Sequence, residues 1–345
     1  MEGDNMNTAI LTDKEQIHLE QHPTPEPDKG EVIIEVAYCG VCRTDRKCYQ
    51  QGQRDLHLPR ILGHEFSGIV KSVGQGVENI AIGDAVTVHP GIACGNCNNC
   101  KEGNDQRCHD MKIFGFHLDG GFSRYCKIPA SGVQQGILRT IPEGVSLLAA
   151  AMCEPLGCAI HMTSAIPDLN EKSVLILGGG VLGTLMAKLL RYEGADSIVI
   201  TEPVDYKRDL LCQLGFHATL PQHLNEIKKE LTIDGFDIAI PCSPYSECFA
   251  TAANQLTNGG FLGFFSGLTD DNMIDKNVLN QIHYKELTMK GSYGCGAEDT
   301  KKALKLIADG FPIDDLPVNL IPLEAVESTL KQQETNHALF TIIQH

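Results

Sequence analysis

The apolar positions fall into two textures along the chain. In the first half they come as short alternations closed by glycine turns: VIIEVAYCG (Val32 to Gly40), EFSGIVKSVG (Glu65 to Gly74) and DAVTVHPG (Asp84 to Gly91). A period of two between tight turns predicts β-strands and an all-β or barrel-like domain, interrupted by a cysteine-rich loop from Cys94 to Cys108. Near residue 160 the texture changes. SVLILGGGVLG (Ser173 to Gly183) is a continuous apolar run ending in glycines, as a strand buried on both faces requires. TLMAKLLRYEG (Thr184 to Gly194) has helical spacing, with Gly194 placed to end the helix. SIVITE, DIAIPCS and GGFLGFFSG predict further strands, and YKRDLLCQLG a second helix. Strand and helix alternate, which predicts a parallel, doubly wound sheet. From about Cys295 a helical TKKALKLIADG and a final FTIIQ predict a return to the first domain. The expected organisation is α/β, with a β-rich domain over residues 1–156 joined by 295–345, and a nucleotide-binding domain over 157–294.

Length and composition agree with two ordinary globular domains. At ~150 residues per domain, 345 residues suggest two. A hydrophobic share of 42% and a mean hydropathy of -0.10 exclude a disordered chain. No run of apolar residues is long enough to span a bilayer. The first fifteen residues carry four acids and no apolar stretch, so the expectation is a cytoplasmic protein without a secretory leader. A net charge of -16 sets the surface against nucleic acid and anionic lipid, while a local basic patch could still hold an anion. No nucleic-acid or membrane partner is expected.

Candidate chemistry sits in three places. Gly178-Gly179-Gly180-Val181-Leu182-Gly183 fits G-x-G-x-x-G and stands between a buried strand and a helix, the context a dinucleotide needs. Gly178 permits the turn, Gly180 admits the pyrophosphate, and Gly183 lets helix and strand pack closely, with the helix N-terminus at Val181 and Leu182 facing the phosphates. Glu202 ends the next strand, 19 residues past Gly183, placed to accept from the ribose hydroxyls and repel a 2′-phosphate. That favours NAD over NADP, and Arg208 nearby weakens the preference.

Fourteen cysteines in a reducing compartment call for something other than disulfides. Four of them, Cys94, Cys97, Cys100 and Cys108, read C-x2-C-x2-C-x7-C. Four thiolates close a tetrahedral site with no open position, so a metal there is structural. An iron–sulfur cluster also takes four cysteines; zinc better suits a short polar loop without a redox partner motif. The third set is dispersed: Cys42 in CGVCRTD, His64 and Glu65 in GHE, and Glu154 in CEPLG. Singly each is bland. Together they offer the thiolate, imidazole and carboxylate of a catalytic zinc with an open position.

Gly63-His64-Glu65-Phe66-Ser67-Gly68 with Gly74 and Val77 matches the zinc alcohol dehydrogenase signature GHE-x2-G-x5-G-x2-V. With GVCRTD, the four-cysteine loop and the glycine fingerprint in order, nearly the whole chain resembles the zinc-dependent medium-chain dehydrogenases. Glu154-Pro155-Leu156-Gly157 looks like the polyol (sorbitol) and threonine dehydrogenase branch.

The resemblance implies a GroES-like catalytic domain, a Rossmann domain and an active site in the cleft between them. It implies two zinc ions, one catalytic and one structural, with Cys42 and His64 as ligands of the first. Glu65 and Glu154 compete for the remaining protein position, and Cys153 and Cys158 flank the latter. Thr44 matches the family's proton-accepting hydroxyl. The reaction implied is hydride transfer between NAD and the secondary alcohol of a polyol, sugar alcohol or amino alcohol. L-threonine 3-dehydrogenase-like and simple secondary-alcohol activities are alternatives.

One position departs from the pattern: Lys47 stands where members often carry the histidine of the proton relay, preceded by Arg46 and Arg43. It is either a solvated basic face or a clamp for an anionic substrate. Retention of every ligand and glycine argues against a zinc-free reductase and against a non-catalytic homologue. LTMKGSYG (Leu287 to Gly294) looks like the edge strand that pairs across a dimer in this family, so a homodimer or homotetramer is expected.

Overall fold

The computed structural model describes residues 5–332 and 338–345. The chain divides into two compact units, Met1–Gly157 with Cys295–His345, and Cys158–Gly294. No described helix is long and apolar enough to cross a membrane.

The first unit opens on a hairpin that the sequence pattern does not announce, β1 (Asn5–Asp13) and β2 (Gln16–Pro23). β2 is exposed along most of its length, so no alternation of buried positions marks it. Then come β3 (Val32–Gly40), α1 (Arg43–Gln51), β4 (Arg60–Ile61), β5 (Phe66–Val73) and β6 (Ala85–Val88). The cysteine loop holds β7 (Gly91–Ile92), α2 (Asn98–Lys101) and β8 (Lys112–Ile113), with β7 and β8 paired antiparallel. β9 (Tyr125–Ile128), α3 (Ala130–Gln134), β10 (Leu138–Thr140), α4 (Leu147–Ala151) and α5 (Cys153–Thr163) follow.

β11 (Ser173–Leu177) begins the alternating half and is buried at every position. It leads into α6 (Val181–Tyr192), which starts inside the glycine motif, three residues before the apolar periodicity suggests. Gly180 caps the N-terminus, and Gly194 follows the last turn at φ +101°. β12 (Ser197–Thr201), α7 (Asp205–Gln213), β13 (His217–Thr219), α8 (Leu224–Leu231), β14 (Phe236–Pro241), α9 (Ser246–Gln255), β15 (Leu256–Phe264), α10 (Lys276–Tyr284) and β16 (Thr288–Gly291) complete the second unit. Its sheet runs β13-β12-β11-β14-β15-β16, every pair parallel. This is the doubly wound order with the first strand central, so β11 and its glycine turn lie at the switch point where dinucleotides bind. β16 forms one edge and is exposed along its length.

The chain then returns to the first unit through α11 (Ala297–Ala308), β17 (Val318–Ile321), α12 (Val326–Lys331) and β18 (Phe340–Gln344). β18, the FTIIQ segment, pairs antiparallel with β3, Ile343 opposite Cys39, and parallel with β17. The resulting sheet has the order β10-β6-β5-β3-β18-β17, with β9 on β3. Tyr49, Phe66, Phe114 and Phe122 are fully buried beneath it. Each such side chain contributes roughly 1.5–3 kcal/mol relative to exposure. That core fixes β3, α1 and the entry to β5, the segments that carry the candidate metal ligands.

Candidate active site and metal centres

Cys42 is the N-cap of α1, and its N–H donates to Asp45 Oδ2 at 2.9 Å. Asp45 is wholly buried. A buried carboxylate is tolerated only when its lone pairs are used, and here they are. Oδ1 accepts the Gly63 N–H at 3.2 Å and faces His64 Nδ1 at 3.4 Å. One side chain therefore binds the start of α1 to the segment that enters β5. With Nδ1 turned toward Asp45, Nε2 of His64 is left to ligate, the usual way an outer carboxylate orients a metal-binding imidazole. The ring of Phe116 lies 5.5 Å from that of His64 and covers it.

The donor atoms of Cys42, His64 and Glu65 all lie within 4.8 Å of one another. Glu65 reaches this position because β3 ends in Gly40: a Cβ there would stand 2.2 Å from Glu65 Oε2. Burial, then the charge of Glu154, pushes Glu65 up to about 8. Burial, then the charge of Glu65, pushes Cys42 up to about 11. Burial would lower His64, but the Asp45 charge and hydrogen bond carry it well above its ordinary value. Two acidic groups driven toward their neutral forms beside an imidazole make a site that a divalent cation stabilises, because it returns them to their anionic states. The donor set suits zinc.

Glu154, in the first turn of α5, acts on Glu65 through its charge but is not part of that trio. Its carboxylate lies within 4.8 Å of Cys295 Sγ, and Cys295 also sits 3.9 Å from its backbone carbonyl. Of the two competing glutamates, Glu65 stands with Cys42 and His64. Thr44 Oγ1 is 3.7 Å from Cys42 Sγ and half-buried. Lys47 and Arg43 are exposed on α1, and Arg46 donates to the Thr329 carbonyl at 3.4 Å.

In the cysteine loop, Sγ of Cys97 and Cys100 are 3.4 Å apart, those of Cys94 and Cys100 3.9 Å. Four sulfurs at ~2.3 Å from a tetrahedral zinc would be about 3.8 Å apart. The Cys94 N–H donates to Cys108 Sγ at 3.2 Å, and backbone hydrogen bonds from Asn96 and Cys97 hold the Cys94 thiol down to about 6. Donors aimed at sulfur favour the thiolate a metal needs.

At the glycine turn, Gly178 has φ +111°, which only glycine adopts readily, and a Cβ on Gly183 would stand 1.9 Å from the Gly178 carbonyl oxygen. A Cβ on Gly180 would meet nothing within 4 Å, so the helix N-terminus opens onto free space of the kind a pyrophosphate occupies. Val181 and Leu182 form the first turn beyond it. Glu202 is buried; its Oε2 accepts the Gly179 N–H at 2.8 Å and Oε1 the Val204 N–H at 3.0 Å. Each oxygen keeps a second lone pair. Arg208 donates to the Glu202 carbonyl at 2.8 Å and pairs with Asp205.

Sequence reasoning missed Asp45 and Phe116. Asp45 could have been found: it lies inside the quoted GVCRTD run, three residues after a candidate ligand, and a carboxylate there can cap its own helix start. Phe116 has no local signal, because its meeting with His64 spans 52 positions of chain.

Two families match the chain in order. The Alcohol dehydrogenase GroES-like domain matches residues 28–137, and the Zinc-binding dehydrogenase family matches residues 181–309. An L-threonine 3-dehydrogenase of Coxiella burnetii is 32% identical over 314 residues, 89% of either chain. One of Yersinia pseudotuberculosis is 30% identical over 322 residues, 91% of this chain and 92% of its own. Among solved structures, a protein assigned as a zinc-binding dehydrogenase from Sinorhizobium meliloti, bound to NADP, has 27% identity and a TM-score of 0.90 over 99% of this chain and 100% of its own. The 2R,3R-butanediol dehydrogenase of Bacillus subtilis, at 24% identity and a TM-score of 0.86 over 99% of each chain, shares the fold. The motif order, the two domain matches and the relatives together place this chain in the zinc-dependent medium-chain alcohol dehydrogenase superfamily.

Proposed function

We propose that the protein oxidises the secondary alcohol of a polyol, sugar alcohol or amino alcohol with NAD, using one catalytic and one structural zinc. The observation that carries this reading is the trio of half-buried Cys42 and buried His64 and Glu65, oriented by Asp45 and faced by Glu154.

Cys42, His64 and one carboxylate would hold the catalytic ion, which when bound supplies the Lewis acidity that brings an alcohol's pKa toward neutrality. The turn at Gly178 to Gly183 with Glu202 would hold the dinucleotide, whose nicotinamide supplies the hydride acceptor. The rest falls to the chain's own groups. Asp45 fixes the imidazole of His64. Thr44 Oγ1, close to Cys42 Sγ, takes the proton of the substrate hydroxyl and passes it outward. Glu65 and Glu154 repel each other, so one of them ligates while the other stands back or exchanges with it. Glu202 discriminates against a 2′-phosphate by charge, and Arg208, already engaged by Asp205 and a carbonyl, offers that phosphate little. Cys94, Cys97, Cys100 and Cys108 would hold the structural ion.

Lys47 and Arg43, exposed on α1, support a substrate carrying a phosphate or carboxylate. The relatives called L-threonine 3-dehydrogenase support keeping an amino alcohol in the class. The exposed edge strand β16, with Met289 51% exposed in it and Tyr293 67% exposed just beyond it, supports pairing with a second copy as a homodimer or homotetramer. Reduced thiols at the metal sites fit a cytoplasmic location.

The test is reduction of NAD, and of NADP in parallel, by zinc-loaded protein. The panel holds neutral polyols, L-threonine, simple secondary alcohols and phosphorylated or carboxylated sugar alcohols. Turnover with NAD on any of these supports the reading. A protein that binds both zinc ions and NAD yet reduces none across the panel refutes it.

A further inference from the structure

The first turn of α11 meets the cysteine loop on one side and the helix carrying Glu154 on the other. From the loop, Asp105 Oδ2 accepts the Ala297 N–H at 3.0 Å. Residue 296 is a glycine, and a Cβ there would stand 2.5 Å from Asp105 Oδ1, so a side chain would push the Asp105 carboxylate from its place. Its φ of -88° suits any residue, so the requirement is space and not backbone conformation. Asp299 closes the turn by accepting the Gly296 N–H at 2.9 Å. Arg139 of β10 adds bonds to the Ala297 carbonyl and to Thr300 Oγ1.

The other side of the same turn faces α5. A Cβ on Gly157 would lie 3.0 Å from Thr300 Cγ2 and 3.2 Å from the Thr300 nitrogen, so Thr300 packs directly onto α5 where Gly157 has no side chain. One residue before the α11 cap, Cys295 Sγ lies 3.9 Å from the Glu154 carbonyl and within 4.8 Å of its carboxylate. A shift of this turn moves the surface against which Glu154 is set.

We propose that Asp105 is a positioning residue for Glu154: through Gly296, Ala297 and Thr300 the cysteine loop determines where that carboxylate stands. The loop so far has only the task of holding a structural ion. Its contact with α11 gives it a second one, in the chemistry at Cys42 and His64. This inference rests on the role given to Glu154 above.

A double-mutant cycle tests it, run on zinc-loaded protein with the best alcohol of the panel. Asp105→Ala is expected to lower kcat/KM about tenfold when Glu154 is present and less than twofold in a Glu154→Ala background. Asp105→Asn, which keeps an oxygen for the Ala297 N–H, is expected to stay within twofold of the parent. Gly296→Ala wedges the same contact apart and carries the cycle should Asp105→Ala fail to fold. Amide exchange supplies a readout independent of turnover. Both disrupting variants are expected to exchange faster in the first turns of α11 and α5, with the zinc content unchanged. Equal losses with and without Glu154, or unaltered exchange in α5, overturn the proposal. Should Glu154→Ala alone retain full activity, the role of Glu154 fails while exchange in α5 still decides whether Asp105 positions it.

Discussion

His89 follows β6, buried, with Nδ1 3.2 Å from Thr300 Oγ1 and with no hydrogen-bond partner found for Nε2. Burial, then the charge of Arg139, lowers its pKa to about 3 from an ordinary 6.5; Asp299 opposes the shift. The unfolded chain binds a proton at this residue below pH 6.5 and the folded chain does not, so stability is complete above that value and declines as pH falls toward 3. Between pH 7 and pH 5 the decline from this one group is about 2 kcal/mol, or ~25-fold in the opening equilibrium. His89→Asn keeps a polar partner for Thr300 and does not titrate in this range. Amide exchange in β6 and β10, the paired strands beside His89, reads opening of the first unit, and comparison at equal pH cancels the intrinsic exchange rate. The ratio of wild-type to variant exchange is expected to rise ~25-fold from pH 7 to pH 5. Parallel pH profiles for the two proteins would show that His89 is protonated in the fold, and the reasoning from its burial would be wrong.

Asp45→Asn removes the charge behind His64 and is expected to weaken the catalytic metal ~10- to 100-fold, while the four-cysteine metal stays. Chelator titration with metal analysis separates the two ions, and equal loss of both would contradict the assignment. Lys47→Ala is expected to raise KM about tenfold for phosphorylated or carboxylated substrates, leaving neutral alcohols within twofold. Equal KM values on both classes would return Lys47 to a solvated face. Gly40→Ala and Gly179→Ala are expected to fail at separate functions, catalytic-metal binding for the first and NAD binding for the second. Metal titration and NAD titration on each variant check this, and a uniform loss of both in either one would point to general unfolding.

Where burial is two-sided the sequence speaks plainly. β11 reads SVLIL because helices cover both its faces, and α6 announces itself through the glycines that must lie close to it. The C-terminal FTIIQ reads as a strand returning to the first domain, and it pairs with β3 there, Ile343 opposite Cys39. The hairpin of β1 and β2 escaped because one of its strands faces solvent almost throughout. The helices α1, α4 and α5 escaped for another reason. α4 has five residues, α5 opens on Pro155 and Gly157 and is apolar nearly all round, and α1 is largely polar and charged, so no apolar stripe marks them. At the site, the ligands lie in recognisable runs, yet the choice between Glu65 and Glu154 could not be made. It depends on how far Glu65 can reach across Gly40, a distance that exists only once β3 and the entry to β5 are packed.

That reach belongs to a recurring device. Glu65 lies over Gly40, Glu202 over Gly179 and Asp105 over Gly296, each where a Cβ would stand between 2.2 and 3.2 Å from the acidic side chain. None of these glycines has a positive φ, so none is needed for a turn. Gly40 and Gly296 clear the way for an acidic side chain, and Gly179 makes room for Leu211 Cδ1, 2.4 Å from a Cβ there, as well as for Glu202. Glu202 uses the gap to accept the Gly179 N–H, and Asp105 to accept the Ala297 N–H. Glu65 uses it to enter the sphere of Cys42 and His64. A buried carboxylate is stable only if donors or a cation meet it. Backbone amides meet buried Glu202 and half-buried Asp105, while buried Glu65, pushed up to about 8, faces a neighbouring carboxylate and a thiol. Of these three acids, Glu65 is the one without a backbone donor to its carboxylate among the described residues, it stands beside the proposed catalytic ion, and the crowding of acidic groups there is the physical reason to expect a cation.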